Sequence, residues 1–215
     1  MYAKFWKRFF DFALSLLALI VLSPILLVLI IVGAIAMRGN PFFVQARPGK
    51  KGKDGKEKIF RLIKFRTMSN KRDKDGNLLP DAERLNGYGK FLRKTSLDEL
   101  GELVNIVRGD MAIVGPRPLL VAYLPRYSAR QRCRHEVRPG LTGYAQAYGR
   151  NLLTWEEKFE KDVYYVDNLS FWLDVKIIFK TISVVLKREG ITSDTSVTME
   201  EFMGEEKEMK VINHE

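Results

Sequence analysis

RKTSLDELGELVNIVRGDMAIVGPRP, residues 93–118, sets two adjacent carboxylates, Asp98 and Glu99, between Arg93 and an Arg117 clasped by prolines. Two readings compete. In one, Ser96 caps a helix and Glu99, three residues on, reaches back to the Ser96 N–H, with Asp98 complementing the helix dipole. In the other, the pair is a reactive centre. A carboxylate can attack phosphorus and form an acyl phosphate. A helix N-terminus would lower its pKa, keep it ionised and attract phosphate oxygens. Two anions approach each other only with neutralisation, which Arg93, Arg117 and a divalent cation would supply. Neighbouring helix positions diverge, so the two acids need not share one task. Spacing alone leaves both readings open.

Working outward, Met111–Val114 reads as a buried strand ended by Gly115-Pro116-Arg117-Pro118. Upstream, Phe42–Gln45 reads as a short strand, RPGKKGKDGK (47–56) as a glycine-rich turn, and Ile59–Arg66 as the returning strand. Residues 69–86 are polar and turn-rich. Downstream, Ser128 with Gln131 and Thr154 with Glu157 have capping-box spacing, and 138–151 reads as a glycine-rich loop between them. Short strands among helices without regular alternation predict an α+β domain.

The run from Phe12 to Met37 holds 26 residues without a formal charge, longer than the ~20 that span a bilayer. It is too long for the apolar core of a signal peptide. Lys4, Lys7 and Arg8 precede it; Arg38, Arg47, Lys50 and Lys51 follow. Positive charge on both flanks wants both ends in the cytoplasm, which a helix satisfies only by turning back. Ser23-Pro24 lies where such a bend would fall, yet proline kinks also occur in spanning helices. Charge and proline leave the re-entrant and spanning forms open. SFWLDVKIIFKTISVVLKREG (170–190) predicts a second apolar helix, from a Ser170 cap to Gly190, lying either in a membrane interface or in the core.

Of the 215 residues, 36 are Lys or Arg and 26 Asp or Glu, a net +10 that points to a polyanionic partner. Residues 38–100 carry 17 basic and 8 acidic side chains; the chain from Glu189 carries 8 acidic and 2 basic, and reads as a solvated end. Cys133 is the one cysteine, so no internal disulfide forms. Two histidines, His135 and His214, without metal-ligand spacing argue against a zinc site or a serine triad, and His135 reads as a solvated or capping residue. Five arginines from Arg126 to Arg138 read as a basic surface able to face lipid phosphates. Aromatic residues do not interleave with basic ones, so nucleic acid is not the expected partner.

These residues resemble the small monotopic phosphoglycosyl transferases of bacterial glycoconjugate assembly. The motifs are the apolar run with Ser23-Pro24, FFVQARPG, KFRTM (64–68), TSLDEL, RGDMAIVGPRPLL, VRPGLTG, GRN (149–151) and FEKDVYYV. Within the family the chain looks closest to the branch that uses UDP-diacetylbacillosamine in protein glycosylation. The resemblance implies transfer of a sugar-1-phosphate from a UDP-sugar to undecaprenyl phosphate, releasing UMP, with Mg2+ as cofactor. It places the family's dyad on Asp98, as nucleophile carrying a covalent phosphosugar, and Glu99, as metal partner or base. It puts phosphate or nucleotide contacts on Lys64, Arg93, Arg117, Arg150, Asn151 and Asp162. It implies a re-entrant helix–break–helix over 1–38, a catalytic domain over 39–200 on the cytoplasmic face of the bacterial inner membrane, and an acidic tail over 201–215. Oligomeric state stays open, a homo-oligomer among the options. Two departures stand out. Ala147-Tyr148 replaces the family's usual Val-Asn, and Gly101-Glu102 replaces a proline or leucine followed by glutamine. Gly101 weakens the first helical turn by up to ~1 kcal/mol and would let the dyad helix bend.

Overall fold

A π turn, Tyr2–Trp6, leads into helix α1 (Lys7–Val21), and α2 (Ser23–Met37) leaves it at a 66° bend. Pro24 sits in the first turn of α2, where backbone donors are unpaired in any case, and the Ser23 hydroxyl donates to the Ile20 carbonyl at 2.8 Å. No single helix among the described residues is long and apolar enough to cross a bilayer; this bent pair together reaches that length and composition. The computed structural model describes residues 2–149, 153–187 and 201–204.

The two N-terminal helices are not a separate appendage. Lys7, Asp11 and Ser15, spaced i, i+4, form a buried polar stripe along α1. Lys7 Nζ pairs with Asp174 at 2.7 Å, and Asp11 accepts the Ile113 N–H at 3.0 Å. Arg8 donates to the Ile106 and Val107 carbonyls at 2.5 and 2.8 Å. Two of the three cations counted as an N-terminal flank are therefore satisfied by protein. The opposite faces of α1 and α2 leave Leu17, Ile20, Val21, Leu27, Val28, Ile31 and Ile35 exposed.

Strands β1 (Phe42–Lys51) and β2 (Glu57–Phe65) form an antiparallel ribbon, pairing Phe43 with Lys64 and Arg47 with Phe60. The strand thus continues through the segment read as a turn, with an irregularity between Pro48 and Lys51, and reverses only over residues 52–56. The polar excursion after β2 contains α3 (Asp81–Arg84); α4 (Gly87–Thr95), a 3-10 segment (Leu97–Gly101) and α5 (Glu102–Arg108) follow. β3 (Ala112–Val114) pairs in parallel with β4 (Gly140–Thr142). Between them lie a 3-10 segment (Val121–Arg126), α6 (Ala129–Arg132) and a second 3-10 turn (Cys133–Glu136). The glycine-rich stretch 138–151 is not simply a loop: it carries β4 and α7 (Tyr144–Ala147). Helices α8 (Trp155–Asp167) and α9 (Phe171–Lys187) complete the α+β domain. Both expected capping boxes form, at Ser128/Gln131 and Thr154/Glu157.

Phe60 and Leu62 of the ribbon pack on Leu103, Ile106 and Met111, with Ala18, Leu19 and Leu22 of the N-terminal helices closing that core. On α9, Asp174, Ile177 and Val184 face inward while Trp172 and Phe179 stay largely exposed. One face of this helix is thus in the core and the other is exposed and apolar; its stop at Gly190 lies outside the described residues. The acidic C-terminal stretch is not wholly solvated, because Phe202 is fully buried among Tyr123, Tyr127 and Phe159.

Candidate active site

Helix α4 ends at Ser96, whose backbone is left-handed (φ 56°). A non-glycine residue there costs ~1 kcal/mol or more and persists only where surrounding contacts enforce it. Ser96 turns the chain from α4 into the 3-10 segment and sets Asp98 and Glu99 on the wall of a cleft of about 1300 Å³. The capping box expected at Ser96 does not form. Ser96 caps the C-terminus of the preceding helix, its side chain makes no N-cap bond, and Glu99 turns to cations instead.

Glu99 Oε1 accepts from Lys64 Nζ at 2.9 Å and from Arg117 Nη2 at 2.8 Å. Lys64 comes from β2, and Arg117 from the proline-flanked turn after β3. Burial alone would push the Glu99 carboxyl up; Arg117 and then Lys64 outweigh it and hold it at about 2. Asp98 differs. It makes no salt bridge among the described residues, and burial, reinforced by the charge of Glu99, pushes its carboxyl above the usual range against Lys64 and Arg117. For Asp98 the direction is opposite to the lowering expected from a helix end. Its segment is a short 3-10 turn, and desolvation wins. Glu99 is clamped by two cations, whereas Asp98 has no such partner among the described residues.

Beneath them Lys64 Nζ also pairs with Glu102 Oε1 at 2.8 Å. Glu102 is buried, and burial first, then the Glu99 charge, push its carboxyl up to about 7 although Lys64 opposes. Gly101 allows this layer to form. A Cβ there would stand 2.8 Å from the Ile63 carbonyl oxygen, so only glycine lets the turn approach β2 so closely. The unusual Gly101-Glu102 pair therefore seats the dyad on the ribbon; the backbone of Gly101 is ordinary right-handed helix (φ −62°), at the point where the 3-10 segment passes into α5.

Lys64, Arg93, Asp98, Glu99 and Arg117 line one cleft, as the sequence reading grouped them. Arg93 Nε donates to Thr67 Oγ1 at 3.2 Å. Arg150 and Asn151 lie outside the described residues. Asp162 does not line the cleft. It is buried on α8 and accepts two bonds from Arg134, at 3.1 and 2.6 Å. Arg134 in turn donates to the Arg117 carbonyl at 2.8 Å, so Asp162 bears on the site through Arg134 and Arg117. Arg47, on β1, reads from sequence only as a basic residue flanking the apolar run, although it sits inside FFVQARPG. It lines the cleft, its Nε is buried with no hydrogen-bond partner among the described residues, and burial and then Arg117 depress its pKa. An anion in the cleft would relieve both conditions. Trp155 and Lys158 of α8 line the same cleft and were also missed, because nothing local marks the start of a helix as a cleft wall.

The remaining arginines of the 126–138 cluster are committed to protein contacts. Arg126 holds Glu201, Arg130 holds Glu160 through two bonds, Arg132 reaches the Leu124 carbonyl, and Arg138 donates to the Gly109 carbonyl. His135 is buried rather than solvated, with Nδ1 3.2 Å from the Gly49 carbonyl, and burial pushes its imidazole down to about 3.

An unclamped carboxylate beside a clamped one, with guanidinium and ammonium groups in the same cleft, has the charge and donors that phosphate recognition requires. A family model described as bacterial sugar transferase matches residues 2–188. The chain is 50% identical to an uncharacterized sugar transferase, EpsL, of Bacillus subtilis, over 92% of this chain and 96% of that protein. It is 36% identical to the undecaprenyl-phosphate galactose phosphotransferase of Salmonella typhimurium, over 87% of this chain and 42% of that one. It is 38% identical to the UDP-glucose:undecaprenyl-phosphate glucose-1-phosphate transferase of Klebsiella pneumoniae, over 82% and 39%. The chain spans less than half the length of these last two relatives. It belongs to the bacterial sugar transferase family and is a phosphoglycosyl transferase enzyme.

Proposed function

We propose that the protein transfers a sugar-1-phosphate from a UDP-sugar to undecaprenyl phosphate, releasing UMP, through a phosphosugar carried on Asp98. The observation that carries this reading is the division of labour in the dyad: Glu99 is held by Lys64 and Arg117, whereas Asp98 makes no salt bridge among the described residues. In the first step an Asp98 oxygen bonds to the sugar-linked phosphorus as the bond to UMP breaks. In the second, a lipid phosphate oxygen bonds to that phosphorus and the Asp98–phosphorus bond breaks, returning the carboxylate. One phosphoanhydride replaces another, so no external energy source is needed. Lys64, Arg93, Arg117 and Arg47 line the same cleft and would neutralise and orient the diphosphate.

Mg2+ fits this chemistry. Adjacent carboxylates offer hard oxygen donors, no third His, Cys, Asp or Glu joins them among the described residues, and Mg2+ is commonly held by one or two carboxylates plus substrate phosphates. Asp98 with Glu99 would hold it, and when bound it supplies charge neutralisation at the diphosphate. The bent α1–α2 pair supports a re-entrant anchor in the cytoplasmic face of the bacterial inner membrane. Its exposed Leu, Ile and Val side chains would lie in lipid and fix the cleft at headgroup depth. Among donors, an N-acetylated amino sugar such as diacetylbacillosamine is the one favoured by the sequence resemblance, and galactose and glucose donors are the comparison.

The decisive experiment incubates the full chain in membranes with UDP-sugars labelled in the sugar, without lipid acceptor. Protein-bound label with stoichiometric free UMP is expected, and Asp98→Asn should abolish both while remaining folded and membrane-bound. Release of UDP instead of UMP, or undiminished transfer by Asp98→Asn with deamidation excluded, overturns the reading.

A further inference from the structure

The family match ends at residue 188, yet Phe202, beyond it, is fully buried. Its ring lies 4.9 Å from Phe159, 5.5 Å from Trp155, 5.7 Å from Tyr123 and 5.8 Å from Tyr127, centroid to centroid. Arg126 fastens the segment by donating to the Glu201 carboxylate at 2.7 Å and to the Phe202 carbonyl. This cluster touches the site in two places. Trp155, stacked on Phe159, is a wall of the cleft. Tyr127 and Phe159 also cover the Arg134 guanidinium, which pairs with Asp162 and holds the Arg117 carbonyl.

We propose that Phe202 is a positioning residue: the segment Glu201–Gly204 is a brace, added beyond the family-matched stretch, that sets the Trp155 wall and seals the Arg134–Asp162 pair behind Arg117. The inference rests on the proposed UDP-sugar reading only for its kinetic consequence. Without the Phe202 ring, water reaches the aromatic cluster and Trp155 loses one of its supports. The dyad, by contrast, keeps Lys64 from the other side of the cleft. Loss of the brace therefore weakens donor binding more than it slows turnover.

The test uses the full chain in lipid nanodiscs. Trp6 and Trp172 are the other two tryptophans, so Trp6→Phe with Trp172→Phe leaves Trp155 as the sole indole reporter. In that background Phe202→Ala should red-shift Trp155 emission and raise its quenching by acrylamide, and should raise KM for the UDP-sugar about fivefold with kcat changed less than about twofold. Phe202→Leu, apolar and bulky, should restore both. Arg126→Gln, which unfastens the segment without emptying the cluster, should move both readouts in the same direction and carries the test if Phe202→Ala does not fold. A Phe202→Ala protein that melts earlier but keeps wild-type Trp155 quenching and KM overturns the proposal, leaving only a contribution to stability. The fluorescence arm reads the brace even if no UDP-sugar is turned over, so the two readings fail separately.

Discussion

Replacing Lys64 by methionine removes one charge from beneath the dyad while keeping an apolar stem. Lys64 Nζ lies 2.9 Å from Glu99 and 2.8 Å from Glu102, and its side chain is 17% exposed against 4% for Glu102. Glu99 would keep Arg117 at 2.8 Å; Glu102 makes no other salt bridge among the described residues. Removing one partner of a buried pair costs about 3–5 kcal/mol, because the other charge is left unpaired. Glu102 can escape part of that by protonation, since burial already holds its carboxyl at about 7 and loss of Lys64 pushes it higher. Lys64→Met should therefore lose about 3 kcal/mol at pH 8 and roughly half of that at pH 5. Adding Glu102→Gln should recover most of the loss, a coupling of about 1–3 kcal/mol for groups in contact. Denaturant unfolding of the four members of this cycle, in detergent at both pH values, measures the coupling; UMP release is followed in parallel. Turnover should stay low in the double variant, because the cation facing the diphosphate is still missing. Equal losses at both pH values, or additive single effects, would refute the charge arrangement.

Two further outcomes follow from the same structure. The Glu102 carboxyl is raised from 4.5 to about 7 in the fold, so its contribution to stability is full below 4.5 and is lost as pH rises through 7. His135, pushed from 6.5 down to about 3, acts in the opposite sense up to 6.5, so the effect is read as a difference: Glu102→Gln should make the slope of stability against pH more positive across this window than in the wild type, and an identical slope would remove Glu102 from the account. For the anchor, Met1→Cys and Asn40→Cys, each in a Cys133→Ser background, should react equally with a membrane-impermeant thiol reagent added to one side. Reaction from opposite sides would mean a spanning helix.

Much of this molecule could be read from sequence where the signals are local. Capping boxes at Ser128 and Thr154 formed because they act over three residues. The Ser23-Pro24 bend formed because proline acts on its own helical turn. The same local rule failed at Ser96, where a left-handed corner, imposed by packing of the dyad segment on β2, overrode an equally good capping pattern. Arg47 and Trp155 were missed as cleft residues, and Asp162 was grouped with them, because cleft membership depends on where β1, α8 and the arginine turns cross.

By itself the sequence determined the α+β mixture, the apolar run with its break, and the company kept by Asp98 and Glu99, since periodicity, proline and charge are properties of neighbouring residues. Only the tertiary structure decided which acid is clamped. Lys64 and Arg117 stand 35 and 18 residues from Glu99 in the chain, and an ion pair depends on distance and desolvation in space. The same holds for Glu102 beneath Lys64, for Asp162 behind Arg134, and for Phe202, buried in an aromatic cluster whose other members lie more than 40 residues away.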